Sequence, residues 1–250
     1  MFPGGFLRKN SKGFWARRKA FALLGIVILG ALSGVLGIGK AEAIELRGER
    51  VFAMNTLRCI RNGPQVEKRV ALTFDDAPNG HTAEILAILD RFQVKATFFL
   101  IGAQVLRHPD LVQRIVAAGH EIGNHSFSHA FTRECPAESI KEDIERAEKA
   151  IVNSTGRLPL YFRPPEGLVT PAIERACGMT GYSLVTWSLD SEDWRAQTED
   201  EIVERVLRDI HPGAIVLFHS LPRTVRALPR ILCALLEAGY TCVPLSSLLE

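Results

Sequence analysis

From Val66 onward, short apolar runs alternate with amphipathic stretches of helical period. This alternation limits the fold more than any other feature of the chain. The runs are VALTF (70–74), ATFFLI (96–101), EIGN (121–124), LYFR (160–163), YSLVTW (182–187), AIVLFH (214–219) and TCVPL (241–245). Each has strand length, and most are apolar on both faces, as strands of a covered parallel sheet must be. Between them lie HTAEILAILDRF (81–92), PDLVQRIVAAG (109–119), PAESIKEDIERAEKAIVNSTG (136–156), TPAIERACGMTG (170–181), TEDEIVERVLRDI (198–210) and LPRILCALLEAG (228–239). Ile85, Ile88, Leu89 and Phe92 recur at helical spacing. Pro109 and Pro229 stand early in their segments, with Gly119 and Gly239 at the ends, the expected asymmetry of a helix. Strand and helix alternating about seven times predict an α/β fold, a parallel sheet with helices outside. A distorted (β/α) barrel of about seven parallel strands fits better than an open doubly wound sheet, because polar residues of interest follow so many strands.

The N-terminal region differs in character. Arg8, Lys9, Lys12, Arg17, Arg18 and Lys19 crowd residues 1–19, and AFALLGIVILGALSGVLGIG (20–39) carries no charge. That run is long enough to cross a bilayer as a hydrophobic helix. The basic flank predicts a cytoplasmic N-terminus and an exported remainder. Ala41–Ala43 (AEA) resembles a small-residue cleavage site, so residues 20–40 read either as a membrane anchor or as a signal peptide whose product is secreted or periplasmic. Residues 41–65 then form a linker or lead-in segment, and 66–250 the domain of alternating strands and helices. Beyond the N-terminal cluster the net charge of +2 leaves no basic run, so nucleic acid is not implied. Cys59, Cys135, Cys177, Cys233 and Cys242 include no C-x-x-C pair, which argues against a cysteine zinc site.

In parallel α/β barrels the loops at the carboxyl ends of the strands build the site. Here Asp75 and Asp76 follow the first run and His125 and His129 the third. Arg163 ends the fourth, Asp190, Glu192, Asp193 and Trp194 follow the fifth, and His219 ends the sixth. If the chain turns helically after the third strand, His125 and His129, four apart, lie on one face within reach of a single ion. His120, before that strand, reads as structural, Trp187 as core, and Tyr182 as core or rim. Two histidines with a carboxylate suit catalytic zinc and equally non-haem iron. The spare aspartate, the arginine and a histidine beside an aspartate favour a hydrolase, which needs a base for water and an acid for the leaving group.

The segments TFDDAP (73–78), HSFSH (125–129), RPPEG (163–167), DSEDW (190–194) and VLFH (216–219) resemble, in order and spacing, the five motifs of the polysaccharide deacetylases, carbohydrate esterase family four with its NodB-homology domain. The resemblance covers about residues 66–249. It implies a metal-dependent hydrolase of carbon–nitrogen bonds other than peptide bonds, removing N-acetyl groups from glycans that contain N-acetylglucosamine, peptidoglycan or chito-oligosaccharide. It implies one divalent metal, Zn2+ foremost with Co2+, Mn2+ or Ni2+ as alternatives, held by Asp76, His125 and His129. Asp75 would be the catalytic base, Arg163 its partner, His219 the general acid and Asp193 the residue that tunes it. The backbone N–H of Glu166 would face the oxyanion, with Trp194 and Leu217 around the acetyl methyl. Two residues depart from the family pattern: Ala77 stands where glycine is usual, and Glu166 where an aromatic residue is usual. A non-polysaccharide amide or ester substrate, and a catalytically inactive, membrane-tethered glycan-binding domain, are the alternative functions.

Overall fold

The computed structural model describes residues 59–250. The N-terminal hydrophobic helix expected over 20–40 and the basic region before it lie outside the described residues. Among those described, no helix is long and apolar enough to cross a membrane.

The described residues hold eight strands in one parallel sheet: β1 (Arg69–Ala77), β2 (Thr97–Leu100), β3 (Glu121–Asn124), β4 (Tyr161–Phe162), β5 (Ser183–Leu184), β6 (Leu189–Asp190), β7 (Ile215–His219) and β8 (Thr241–Cys242). Their order is β5-β4-β3-β2-β1-β7-β6, with β8 pairing the start of β1. The sheet is the curled, incomplete barrel that the alternation predicts. Its gap is partly spanned by the chain just before β1. Ile60 donates to the Leu184 carbonyl and accepts from Thr186 N, both at 2.8 Å, and Gly63 N reaches the Gly213 carbonyl at 2.8 Å.

Strand alternation sorts side chains onto two faces. On β1, Val70, Leu72 and Phe74 join the large outer core under the helices, while Ala71 joins a smaller inner cluster with Phe99, Ile215 and Leu245. Phe74 stacks on Phe98 and Phe218, tying β2, β1 and β7 together on the outer face. Thr73 and Asp75 share the parity of Ala71 and so look inward, which brings a hydroxyl and a carboxylate into the concave face. In β7 the same parity brings Leu217 and His219 inward, and Asp75 pairs with His219 across the ladder.

Among the described residues, eight helices cover the sheet: α1 (Thr82–Arg91), α2 (Gly102–Arg107), α3 (Pro109–Ala117), α4 (Ala137–Thr155), α5 (Pro171–Thr180), α6 (Glu199–Asp209), α7 (Pro222–Glu237) and α8 (Leu245–Leu249). Gly156, at φ 69°, ends α4 in the left-handed conformation that glycine adopts without penalty. Threonines at 170 and 198 cap α5 and α6 by accepting from Ile173 N and Glu201 N.

The structure differs from the sequence expectation in several places. Helix α7 begins at Pro222, six residues before the expected start, so Pro229 lies inside the helix and Pro222 is the starting proline. The run 241–245 pairs only over Thr241–Cys242, because Pro244 caps α8. The run 182–187 forms a strand only over Ser183–Leu184, with Val185 bridging to Ile60, and the short strand β6 follows where the sequence predicts a loop.

Candidate active site

The two adjacent aspartates of TFDDAP diverge because the backbone changes hand between them. Asp75 completes the inward row of β1 and is 3% exposed. Asp76 would face outward by strand parity, but its φ of 62° turns it back toward the concave side. A left-handed non-glycine residue costs about 1–2 kcal/mol, so the surrounding structure must hold it.

Asp75 is gripped by Arg163, which leaves the end of β4. Arg163 Nη1 donates to Asp75 Oδ1 and to Thr73 Oγ1, each at 2.8 Å, and Nη2 donates to the Thr186 carbonyl at 2.7 Å. The guanidinium is fully buried, 4.1 Å over the Phe99 ring. Burial alone would raise the Asp75 carboxyl. The charge of Arg163 foremost, with the neighbouring His125 and His219 and the Arg163 hydrogen bond, overcomes that and holds it below its ordinary value.

Asp76 has different neighbours. Its Oδ1 lies 3.3 Å from His129 Nε2 and 3.6 Å from His125 Nε2, yet is buried without a hydrogen-bond partner. His125 donates from Nδ1 to the Arg163 carbonyl at 2.7 Å, leaving Nε2 free on the cavity side. Burial lowers the His125 pKa despite Asp75 and Asp76, which favours the neutral, ligating ring. One donor atom from each of Asp76, His125 and His129 falls within 4.8 Å of the others. An orphaned carboxylate oxygen, two imidazole nitrogens and a carbonyl that fixes the tautomer of one ring fit a divalent cation.

His125 and His129 do not lie on a helix as expected. They flank a turn with Ser126 at φ 67° and His129 at φ 55°, which brings the rings to 5.0 Å. Side chains hold that turn. Asn124 Oδ1 accepts from Ser126 N, Ser126 Oγ accepts from His129 N, and Asp143 Oδ1 of α4 accepts from Phe127 N. Asp143 escaped the sequence reading because it lies in the polar stretch of an otherwise ordinary amphipathic helix.

Across the cavity, His219 Nδ1 donates to Asp193 Oδ1 at 2.8 Å. The second oxygen of Asp193 accepts from His219 N and Thr224 Oγ1, both at 2.6 Å. Burial would lower the His219 pKa, but the Asp193 hydrogen bond and charge, aided by Asp75 and Asp76, push it up to about 9. The residues Asp75, Asp76, His125, His129, Glu166, Leu217, Trp194 and His219 line one cavity of about 440 Å³, and Arg163 and Asp193 stand directly behind it. Trp194 is 58% exposed at its rim, and Leu217 is buried in its wall. The Glu166 N–H donates to no group among the described residues.

Trp187, read from sequence as core, packs against the inner cluster and also lines this cavity, so close to Gly167 that a Cβ there would sit 2.4 Å from its ring. Tyr182 is core, and Asn124 Nδ2 donates to its hydroxyl at 3.2 Å. His120 is buried at the opposite end of β3 and accepts from Ala96 N at 3.1 Å. Ala77 is fully buried in the outer core and is absent from the left-handed residues, so alanine meets no backbone conflict where glycine is usual. Replacing it, Ala77→Gly, is expected to lower stability by about 1 kcal/mol, seen as a lower thermal midpoint, without raising turnover.

A curled parallel sheet with this constellation at its carboxyl edge defines a metal-assisted hydrolase of the deacetylase type. The sequence model described as Polysaccharide deacetylase matches residues 62–185. A peptidoglycan-N-acetylglucosamine deacetylase of Bacillus cereus is 37% identical over 194 residues, covering 75% of this chain and 91% of that protein. A chitooligosaccharide deacetylase of Bradyrhizobium is 36% identical, covering 72% and 90%. Among solved structures, a mutant of a Bacillus anthracis CE4 family pseudoenzyme with restored enzymatic activity superposes with a TM-score of 0.75 at 34% identity, over 78% of this chain and 72% of that one. The chain belongs to the polysaccharide deacetylase family, carbohydrate esterase family four.

Proposed function

We propose that the protein removes N-acetyl groups from glycans containing N-acetylglucosamine, releasing acetate and leaving a free amino sugar. The observation that carries this reading is the division of labour between adjacent aspartates. Asp75 is bound to a buried arginine, while Asp76 offers an orphaned oxygen to two histidine nitrogens.

Asp76, His125 and His129 would hold one divalent cation, with zinc as our assignment. Such an ion supplies Lewis acidity and a water of lowered pKa. Asp75 takes the proton of the attacking water through Oδ2, because Oδ1 is engaged by Arg163. The free N–H of Glu166 is available to the developing oxyanion. Leu217 and Trp194 offer apolar surface to the methyl group. His219, held protonated by Asp193, gives its proton to the departing nitrogen as the carbon–nitrogen bond breaks. We further propose that residues 1–40 deliver the domain outside the cytoplasm, through a retained anchor or a cleaved signal, so that cell-wall glycan is within reach.

The test is acetate release by the full chain, loaded with zinc, from chito-oligosaccharides, peptidoglycan fragments and small N-acetyl amides and esters. The expected result is release from one or both glycan classes with stoichiometric free amine. Release from small amides or esters alone would move the reading to a non-polysaccharide substrate. Glycan binding with no release from metal-replete protein would contradict the deacetylase reading.

A further inference from the structure

The acidic groups around the cavity have partners, with one exception. Asp75 is paired with Arg163 and Asp193 with His219, while Asp76 faces the two histidine nitrogens at 3.3 and 3.6 Å across the space a cation would fill. Asp190 Oδ1 accepts from Glu192 N at 2.8 Å. Glu166 alone lines the cavity with an exposed carboxylate that makes no hydrogen bond or ion pair among the described residues. Among the described residues, no lysine or arginine lines the cavity to neutralise it. Arg163 is buried and committed, and Arg195 is engaged with Glu192.

The backbone displays this carboxylate rigidly. Glu166 has φ 58° and ψ 13°, within a single 3-10 turn from Pro165 to Gly167. Two prolines precede it with fixed φ. Gly167 N donates to the Pro164 carbonyl, and Leu168 N to that of Pro165, both at 3.1 Å. Gly167 is pinned beneath the Trp187 ring. A non-glycine residue in the left-handed region, held from both sides, carries strain of the sort that persists at ligand-contacting positions.

We infer that the Glu166 carboxylate is a subsite for a protonated amine, and that the preferred substrate is a glycan already carrying a free amino sugar beside the N-acetyl group that reacts. This rests on the deacetylase reading above and names the substrate class within it. The product of each cleavage is itself such an amine. An enzyme with an unpaired carboxylate on its cavity wall therefore favours chains it has already begun to deacetylate, and produces runs of free amino sugars. A neutral hydrogen-bonding role for Glu166 would give no such preference, which makes Glu166→Gln the discriminating variant.

The experiment compares kcat/KM of the zinc-loaded full chain on two tetramers of N-acetylglucosamine. One is fully acetylated; the other carries a single free amine next to the reacting unit. The pH is chosen to keep the sugar amine protonated. The ratio of the two rates within each protein is the readout, so a general loss of activity in the variant cancels. An exposed charge pair contributes enough for the wild type to favour the amine-bearing tetramer by about two- to fivefold. In Glu166→Gln the ratio falls to about one, and salt at about 0.5 M brings the wild type there too, because exposed charges are screened. A ratio at or below one in the wild type, or the same ratio in Glu166→Gln, overturns the inference while leaving the deacetylase reading intact. Absence of acetate from both tetramers overturns the inference, and it overturns the deacetylase reading as well only if peptidoglycan fragments are also inert.

Discussion

Asp75→Asn is expected to lower kcat/KM for acetate release by about 10²–10⁴-fold, the range associated with a positioned general base, while cation binding survives. The substitution keeps the shape of the side chain and an acceptor oxygen for Arg163 Nη1. It removes the charge and the capacity to take a proton. The proposed cation-binding set is Asp76, His125 and His129, and none of them depends on Asp75 for its orientation. His125 is fixed through the Arg163 carbonyl and His129 through Ser126. The variant also leaves a fully buried guanidinium without its counter-charge. Breaking a buried pair in this way typically destabilises by about 3–5 kcal/mol, and the retained hydrogen bond brings the expectation to the lower end. Zinc content, thermal midpoint and initial rate, measured on one preparation, separate these effects. Retention of more than a tenth of the wild-type rate would remove Asp75 from the role of base.

The second large effect concerns His219. A general acid must carry its proton, and that protonated fraction is lost as pH rises through the group's pKa. With His219 pushed up to about 9, the alkaline limb of kcat/KM should lie near that value, well above the ordinary histidine range. Asp193→Asn removes the charge and weakens the hydrogen bond that oppose the lowering effect of burial. The pKa must therefore fall, and the limb moves to lower pH. A cation on Asp76 offsets the share of the rise that Asp76 supplies, but not the share from Asp193. Near pH 8 the variant is then mostly unprotonated at His219, and its rate should drop by about 10²-fold. A pH–rate profile of both proteins checks this. An unchanged alkaline limb in Asp193→Asn would mean that His219 is not the acid that the limb reports.

Much of this architecture is legible in the sequence, for a physical reason. Strands of a covered parallel sheet are apolar on both faces, so VALTF, ATFFLI and AIVLFH stand out against amphipathic helices, and the polar residues that follow them mark the carboxyl edge. The boundaries that went astray lack such contrast. Strand β6 is two residues long and lies within the polar run around Asp190. Helix α2 is only six residues and opens on Gly102, packed tightly against Phe127 and Ala147. Two similar Leu-Pro-Arg sequences, at 221–223 and 228–230, compete as the start of α7, and the earlier one starts it.

The same contrast holds within the site. Which residue types meet there could be expected from strand ends and motif order. The means of their meeting could not. Asp76, Ser126, His129 and Glu166 all adopt left-handed backbone without being glycine, so their residue types carry no signal of the turn they make. The helical spacing of His125 and His129 suggested a helix, whereas a side-chain-clamped loop performs the convergence. Trp187 has the composition of a core residue, and only the curl of the sheet brings its ring to the cavity wall.

On the proposed mechanism, Asp76 and two histidines hold a cation on which glycan deacetylation depends. The most direct measurement is metal content alongside acetate release from a defined chito-oligosaccharide. Both are followed through chelation and stepwise addition of zinc, for the wild type and for His129→Ala. The expected result is one ion per wild-type chain, loss of turnover on its removal, and recovery that saturates at one equivalent. His129→Ala should bind zinc more weakly and recover only at excess metal. Turnover that persists in fully metal-free protein, or metal-replete protein inert on every acetylated glycan, would contradict the account.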